Sequence, residues 1–215
     1  MKGLFIRIAI TVLCIFSASL CHAGCSGAMV NHQLLRYDRS MTVVHLGDSH
    51  VAGKSFPYAV RDTIRPKRYH IVAKNGVRLD WFLNRHVYNR VKALRPDLII
   101  LSVGTNDAVT NISMSIYSGK LQRFMELYSG IASNVLISTP VGFYRNGRVY
   151  PHTDTIIASE AVFGALRGYP VWVSSYYHPV SWYRVNGMMQ KDGIHFTPRG
   201  YRTMGTQLGR DIICQ

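Results

Sequence analysis

Four short motifs in this chain carry side chains that could do chemistry, and they occur in a fixed order. They are Gly47-Asp48-Ser49-His50, Asn75-Gly76-Val77, Gly104-Thr105-Asn106-Asp107 and Asp192-Gly193-Ile194-His195. A serine hydroxyl is a weak nucleophile until a base takes its proton. His195 can be that base, because imidazole titrates near working pH. Its second ring nitrogen must then be held, and Asp192, three residues earlier, can accept that N–H and fix the tautomer. A tetrahedral intermediate also needs donors for its oxyanion. The backbone N–H groups of Ser49 and Gly76 and the side-chain amide of Asn106 can supply three. At position 76 a glycine lets a backbone donor approach a ligand with no side chain in the way. Together these groups form a set for acyl transfer.

Elements that could position such groups are legible in the apolar pattern. Strand runs are expected at Met41–Leu46, Tyr69–Val72, Leu98–Val103, Asn134–Thr139 and Tyr169–Ser174. Helical spacing appears at Phe56–Ile64, Leu79–Leu94, Ile112–Ile131, Thr155–Leu166 and Pro198–Ile213, the last with proline in its first turn. This alternation predicts a parallel sheet with helices on both faces. Ligands of such sheets sit beyond the carboxyl ends of the strands. The four motifs follow the first, second, third and fifth expected strands, where that rule places chemistry.

Taken together, the motifs resemble the four blocks of the SGNH (GDSL-type) hydrolase superfamily: GDS, a glycine, G-x-N-D and D-x-x-H. The resemblance spans about Thr42 to Leu208. It implies a three-layer α/β/α sandwich with a five-stranded parallel sheet, the flavodoxin-like SGNH hydrolase fold. It implies ester hydrolysis with no metal and no organic cofactor. Ser49 would be nucleophile and first oxyanion donor, Gly76 and Asn106 the other donors, and Asp192 and His195 the rest of the triad. The sequence departs from the pattern twice. His50 stands where leucine is common, and Gly-Asp-Ser-His resembles bacterial cell-envelope acetylesterases. Leu79 stands where many members carry a further glycine. His50 either lines the pocket or packs under the helix. Asp48 and Asp107 are expected to bond loop backbone.

Two other hydrolytic or nucleotide-binding readings fail on spacing. Gly47 to Ser55 ends in Gly-Lys-Ser, but five residues separate Gly47 from Gly53 and Ala52 occupies the required glycine position, so a Walker loop is excluded. Val51 stands where the G-x-S-x-G elbow needs glycine.

The chain has 215 residues, 47% apolar and 17% charged, which is globular composition for one domain. Residues 1–23 read as a secretory signal peptide, with Lys2 and Arg7 before an apolar run from Ile8 to Leu20 and a cut after Ala23. The run is short for a membrane anchor, and His22 stands where a lipoprotein signal needs leucine before Cys25. Residues 24–215 are then the hydrolase domain, periplasmic or secreted, with no stable membrane span and a monomer by default. Export leaves Cys25 and Cys214, either bridged or as two thiols. Closing so long a loop would stabilise by roughly 4–5 kcal/mol in the chain-entropy model.

Lys and Arg number 25 against 11 Asp and Glu; without Lys2 and Arg7 the balance is 23 against 11, or +12. Such a surface favours polyanions, or is merely solvated. No nucleic-acid motif is present, and nucleic acid is not expected as a partner. The expected substrate is an acylated polysaccharide, peptidoglycan included, or a small ester. A lipid ester is the alternative within the esterases, and a glycan-binding module with a decayed site is the non-catalytic one. Tyr176, Tyr177, Trp182, Tyr183 and Arg184 precede the last motif; they either meet a sugar or pack the loop.

Overall fold

In Leu98–Ser102 the first four residues are all apolar because the strand lies inside a sheet covered on both faces. The computed structural model describes residues 28–145 and 148–214. In chain order the elements are β1 (Met29–Val30), β2 (Thr42–Gly47), α1 (Ser49–Ala52), α2 (Ser55–Ile64) and β3 (Arg68–Ala73). A 3₁₀ turn (Leu79–Leu83) leads into α3 (Arg85–Ala93), followed by β4 (Leu98–Ser102), α4 (Thr105–Val109), α5 (Met114–Tyr128) and β5 (Asn134–Ser138). A small hairpin, β6 (Tyr144–Arg145) and β7 (Arg148–Val149), precedes α6 (Pro151–Arg167) and β8 (Val171–Trp172). Short helices α7 (Ser174–Tyr177) and α8 (Val180–Val185) lead to α9 (Pro198–Ile213).

The main sheet has the order β1-β8-β5-β4-β2-β3. Five of its strands are parallel neighbours, as expected from sequence. The sixth corrects the expected count: β1 pairs antiparallel with β8 through Met29–Trp172 and Val30–Val171. Two residues are too few to show an alternating pattern, so this edge strand gave no periodic signal.

Side chains alternate across the sheet and build one core on each face. Val44, Leu46, Ile99 and Leu101 pack with α5 residues Tyr117, Leu121 and Phe124. Val43, Leu98 and Ile100 pack with Phe56 and Val60 of α2 and Met204 and Leu208 of α9. These two faces make the three-layer α/β/α arrangement. Close contact between α2 and α9 depends on Gly205: a Cβ there would lie 2.5 Å from the Phe56 carbonyl oxygen. That contact seats the helix that directly follows the last motif.

Two expected elements are shorter than the pattern implied. The Leu79–Leu94 helix is divided at Asn84, whose extended backbone caps α3 while its side chain accepts from the His86 N–H at 2.8 Å. The Tyr169–Ser174 strand pairs only over Val171–Trp172, because Ser174 already opens α7. Among the described residues no helix is long and apolar enough to cross a membrane. Residues 1–27, which hold the expected signal peptide and Cys25, lie outside the described residues.

Candidate active site

β2 delivers Ser49 to the carboxyl edge of the sheet as the first residue of α1. Gly47 makes the turn possible: a Cβ there would fall 2.1 Å from a Val51 methyl and 2.7 Å from the Ser102 carbonyl oxygen. Asp48 caps α1, its Oδ1 accepting from the His50 N–H at 3.0 Å. Burial pushes the Asp48 carboxyl up to about 7, against the opposing pull of the His50 N–H and of His195.

The last motif forms a tight loop ahead of α9. Asp192 Oδ1 accepts from the backbone N–H groups of Ile194 and His195, at 2.9 and 3.0 Å. Its Oδ2 lies 2.6 Å from His195 Nδ1. Burial works to raise the Asp192 pKa, but the hydrogen bonds from His195 and Ile194 prevail and hold the carboxyl below its ordinary value. On the other side of the ring, His195 Nε2 lies 2.9 Å from Ser49 Oγ. The carboxylate, imidazole and hydroxyl expected to act together are thus in line. The loop is braced from outside, since the Tyr144 N–H donates to the Gly193 carbonyl at 2.9 Å. Thr197 caps α9 by accepting from the Gly200 N–H at 3.3 Å.

The expected oxyanion donors lie on two neighbouring loops that are tied together. Gly76 follows β3, is exposed and has φ +73°. Asn106 lies in the first turn of α4 and donates to the Val77 carbonyl at 3.0 Å. Its amide also reaches Asp48 Oδ2 at a long 3.4 Å. Asp107 Oδ2 accepts from the Leu79 N–H at 3.0 Å, as expected of a residue bonding loop backbone. Burial pushes the Asp107 carboxyl up to about 6, with the Leu79 N–H acting in the opposite sense.

The remaining expected contacts divide. The His50 ring packs 5.4 Å from the His195 ring, and its Nδ1 meets the Tyr201 hydroxyl at 3.0 Å. Burial, reinforced by His195, pushes His50 down to about 3, so the ring is neutral. Tyr183 is fully buried and packs edge-on against Phe196, so of its two expected roles, meeting a sugar or packing the loop, it takes the second. Its helix turns that side inward because Val180 and Tyr183, three residues apart, face the core together. Trp182 is half-buried and stacks on His178 at 3.6 Å. Arg184 is exposed, with its guanidinium 4.4 Å above the Tyr144 ring. The side chains of Tyr176 and Tyr177 lie outside what is described.

Two buried polar pairs near these loops escaped the sequence reading. His45 of β2 is fully buried between the Tyr69 hydroxyl at 2.7 Å and Ser102 Oγ at 2.8 Å. Glu160 of α6 is fully buried and accepts from the Tyr117 hydroxyl. Each is a polar residue inside an otherwise apolar run, which is the signal that could have marked it.

No protein-family model matches the chain, and no curated protein matches its sequence significantly. Solved structures do match. A lipase/acylhydrolase from Enterococcus faecalis is 22% identical, with TM-score 0.63 over 80% of this chain and 95% of that one. A catalytic mutant of an acetylxylan esterase from Geobacillus stearothermophilus is 12% identical, with TM-score 0.66 over 83% of this chain and 97% of that one. A structure described as peptidoglycan O-acetylesterase in action is 20% identical, with TM-score 0.54 over 66% of this chain and 45% of that one. Further matches are described as G-D-S-L family or GDSL-like lipolytic proteins. The chain therefore has the α/β/α fold of the SGNH (GDSL-type) hydrolases.

Proposed function

We propose that this protein is an exported serine esterase that removes O-acyl groups, chiefly O-acetyl, from a cell-envelope or extracellular polysaccharide such as peptidoglycan. The observation that carries the reading is the 2.9 Å approach of His195 Nε2 to Ser49 Oγ, with Asp192 on the opposite ring nitrogen. In this reading Ser49 Oγ attacks the ester carbonyl as His195 Nε2 takes its proton. The carbonyl oxygen becomes an oxyanion, held by the Ser49 and Gly76 N–H groups and the Asn106 amide. Asp192 accepts the Nδ1–H and stabilises the imidazolium. His195 then gives its proton to the leaving alcohol, and the acyl group stays on Ser49. A water, deprotonated by His195, attacks the acyl-enzyme; acetate leaves and Ser49 regains its proton.

Several features support the details. Asn106 Nδ2 has two hydrogens, one given to Val77 and the other engaged only by a long contact to Asp48, which leaves the second available to an oxyanion. The structural matches include proteins described as an acetylxylan esterase and a peptidoglycan O-acetylesterase, both named for acetyl esters of polysaccharides. The basic start and apolar run of residues 1–23 support export.

Acetate release tests the reading. Purified mature protein and Ser49→Ala would be compared on 4-nitrophenyl acetate and O-acetylated peptidoglycan. Release from both substrates, lost in the variant, is expected. Release from the small ester alone would move the substrate to another class, lipid esters first. Release from neither would leave a glycan-binding module without catalysis.

A further inference from the structure

The loop carrying Gly76 continues into a groove between the Leu79–Leu83 turn and α5. Val77 is held by Asn106 and Leu79 by Asp107, so this loop is fixed to the site just described. Asp80, one residue on, forms one wall of the groove. The opposite wall is a single face of α5, where Ile116, Gly119, Lys120 and Arg123 recur at helical spacing. The groove is open, with a cavity volume of about 590 Å³, within the range of small-ligand sites.

Its charge is unevenly satisfied. Asp80 Oδ2 takes Lys120 Nζ at 2.9 Å and Arg78 at 3.2 Å, so one carboxylate faces two cations. These contacts outweigh burial and hold the Asp80 carboxyl below its ordinary value. Arg123 is exposed and has no acidic partner among the described residues. The groove thus carries a net positive charge, a hydroxyl acceptor in Asp80 and a polar amide in Asn84. Ile116 and Leu83 add apolar surface for a sugar face. Gly119 leaves the floor open, since a Cβ there would meet nothing within 4 Å.

We propose that this groove binds an acidic sugar unit of the esterified polymer, taking its carboxylate on Arg123 and Lys120. The proposal rests on the esterase reading and deepens it: the substrate is a carboxylated polysaccharide, and its charged unit lies on the Gly76 side of the reacting ester. A concave groove that mixes acceptor, amide and guanidinium suits a saccharide better than a lipid surface, which would favour a protruding apolar face.

The test compares O-acetylated polyuronate oligosaccharides with O-acetylated neutral xylo-oligosaccharides, in parent, Arg123→Glu and Gly119→Tyr. The parent should prefer the acidic substrate about tenfold in kcat/KM, and added salt should erode that preference by screening. Both variants should lower the acidic-to-neutral ratio about tenfold through KM. Gly119→Tyr does so by filling the groove, and it keeps the helix because tyrosine is a better helix former than glycine. Calorimetry with deacetylated polyuronate adds a readout that needs no turnover; its binding should weaken in both variants. A parent that cleaves no ester but binds polyuronate in this way would sink the esterase reading and leave the groove standing. Equal ratios in parent and variants, with no polyuronate binding, would overturn the groove. Binding of anionic phospholipid vesicles that Arg123→Glu abolishes, without uronate binding, would overturn it in favour of lipid headgroups.

Discussion

His195 Nε2 and Ser49 Oγ stand 2.9 Å apart although 146 positions separate them in the chain. The contact needs two independently placed ends: Ser49 at the tip of β2 and His195 on the loop that α9 seats against α2. Ser49→Ala and His195→Ala should each remove nearly all ester turnover while leaving the thermal unfolding profile close to the parent's. Residual activity within tenfold of the parent for either variant would remove that residue from the reaction.

Asn106 sits between two duties, holding the Val77 carbonyl and facing Asp48. Asn106→Ala should raise the barrier by about 3–4 kcal/mol, as loss of one oxyanion donor does. It should appear in kcat more than in KM. A parental kcat would show that the amide serves the loop and nothing else.

Asp107 acts on the loop through the buried Leu79 N–H. Asp107→Ala leaves that donor unpaired and should cost roughly 1–3 kcal/mol in urea unfolding. Asp107→Asn keeps an acceptor oxygen and should recover most of the loss, because burial already pushes this carboxyl up to about 6. Equal losses in the two variants would argue that the charge, not the acceptor, matters.

Burial holds His45 down to about 3, against 6.5 for an ordinary imidazole. Between these values the unfolded chain takes a proton that the folded chain refuses. Its contribution to stability is therefore complete above 6.5 and is lost as pH falls toward 3. Relative to His45→Gln, the parent should lose about 2 kcal/mol between pH 8 and pH 5. The difference isolates His45 from His50, which has the same sign, and from Asp48 and Asp107, which oppose it. A gap that does not change with pH would mean that the folded ring takes up its proton as readily as the unfolded chain does.

Cys25 and Cys214 are expected to be bridged once residues 1–23 are removed. Thiol titration of the unfolded, unreduced mature protein should find none free. Two titratable thiols would exclude the bridge.

Several parts of this molecule were legible in one dimension because their causes are local. Leu98–Ser102 announces a buried strand by its four consecutive apolar residues, and Pro198 announces the start of α9. Ser49 could be placed because its motif directly follows β2, and Asp192 and His195 because theirs directly precedes α9. Other features depended on partners distant in sequence. Nothing local says that Asp107 meets the Leu79 N–H, or that His45 lies between Tyr69 and Ser102. Tyr183 and Arg184 are adjacent, yet only the packing of α8 decides that the first ring is core and the second side chain is surface. The groove of Lys120 and Arg123 exists only because α5 packs beside the Leu79–Leu83 turn. Sequence determined which chemical groups this protein carries and at which strand ends, since turns and apolar periods are short-range. Tertiary structure alone decided which groups face each other, because burial and pairing are set by elements that meet across the sheet.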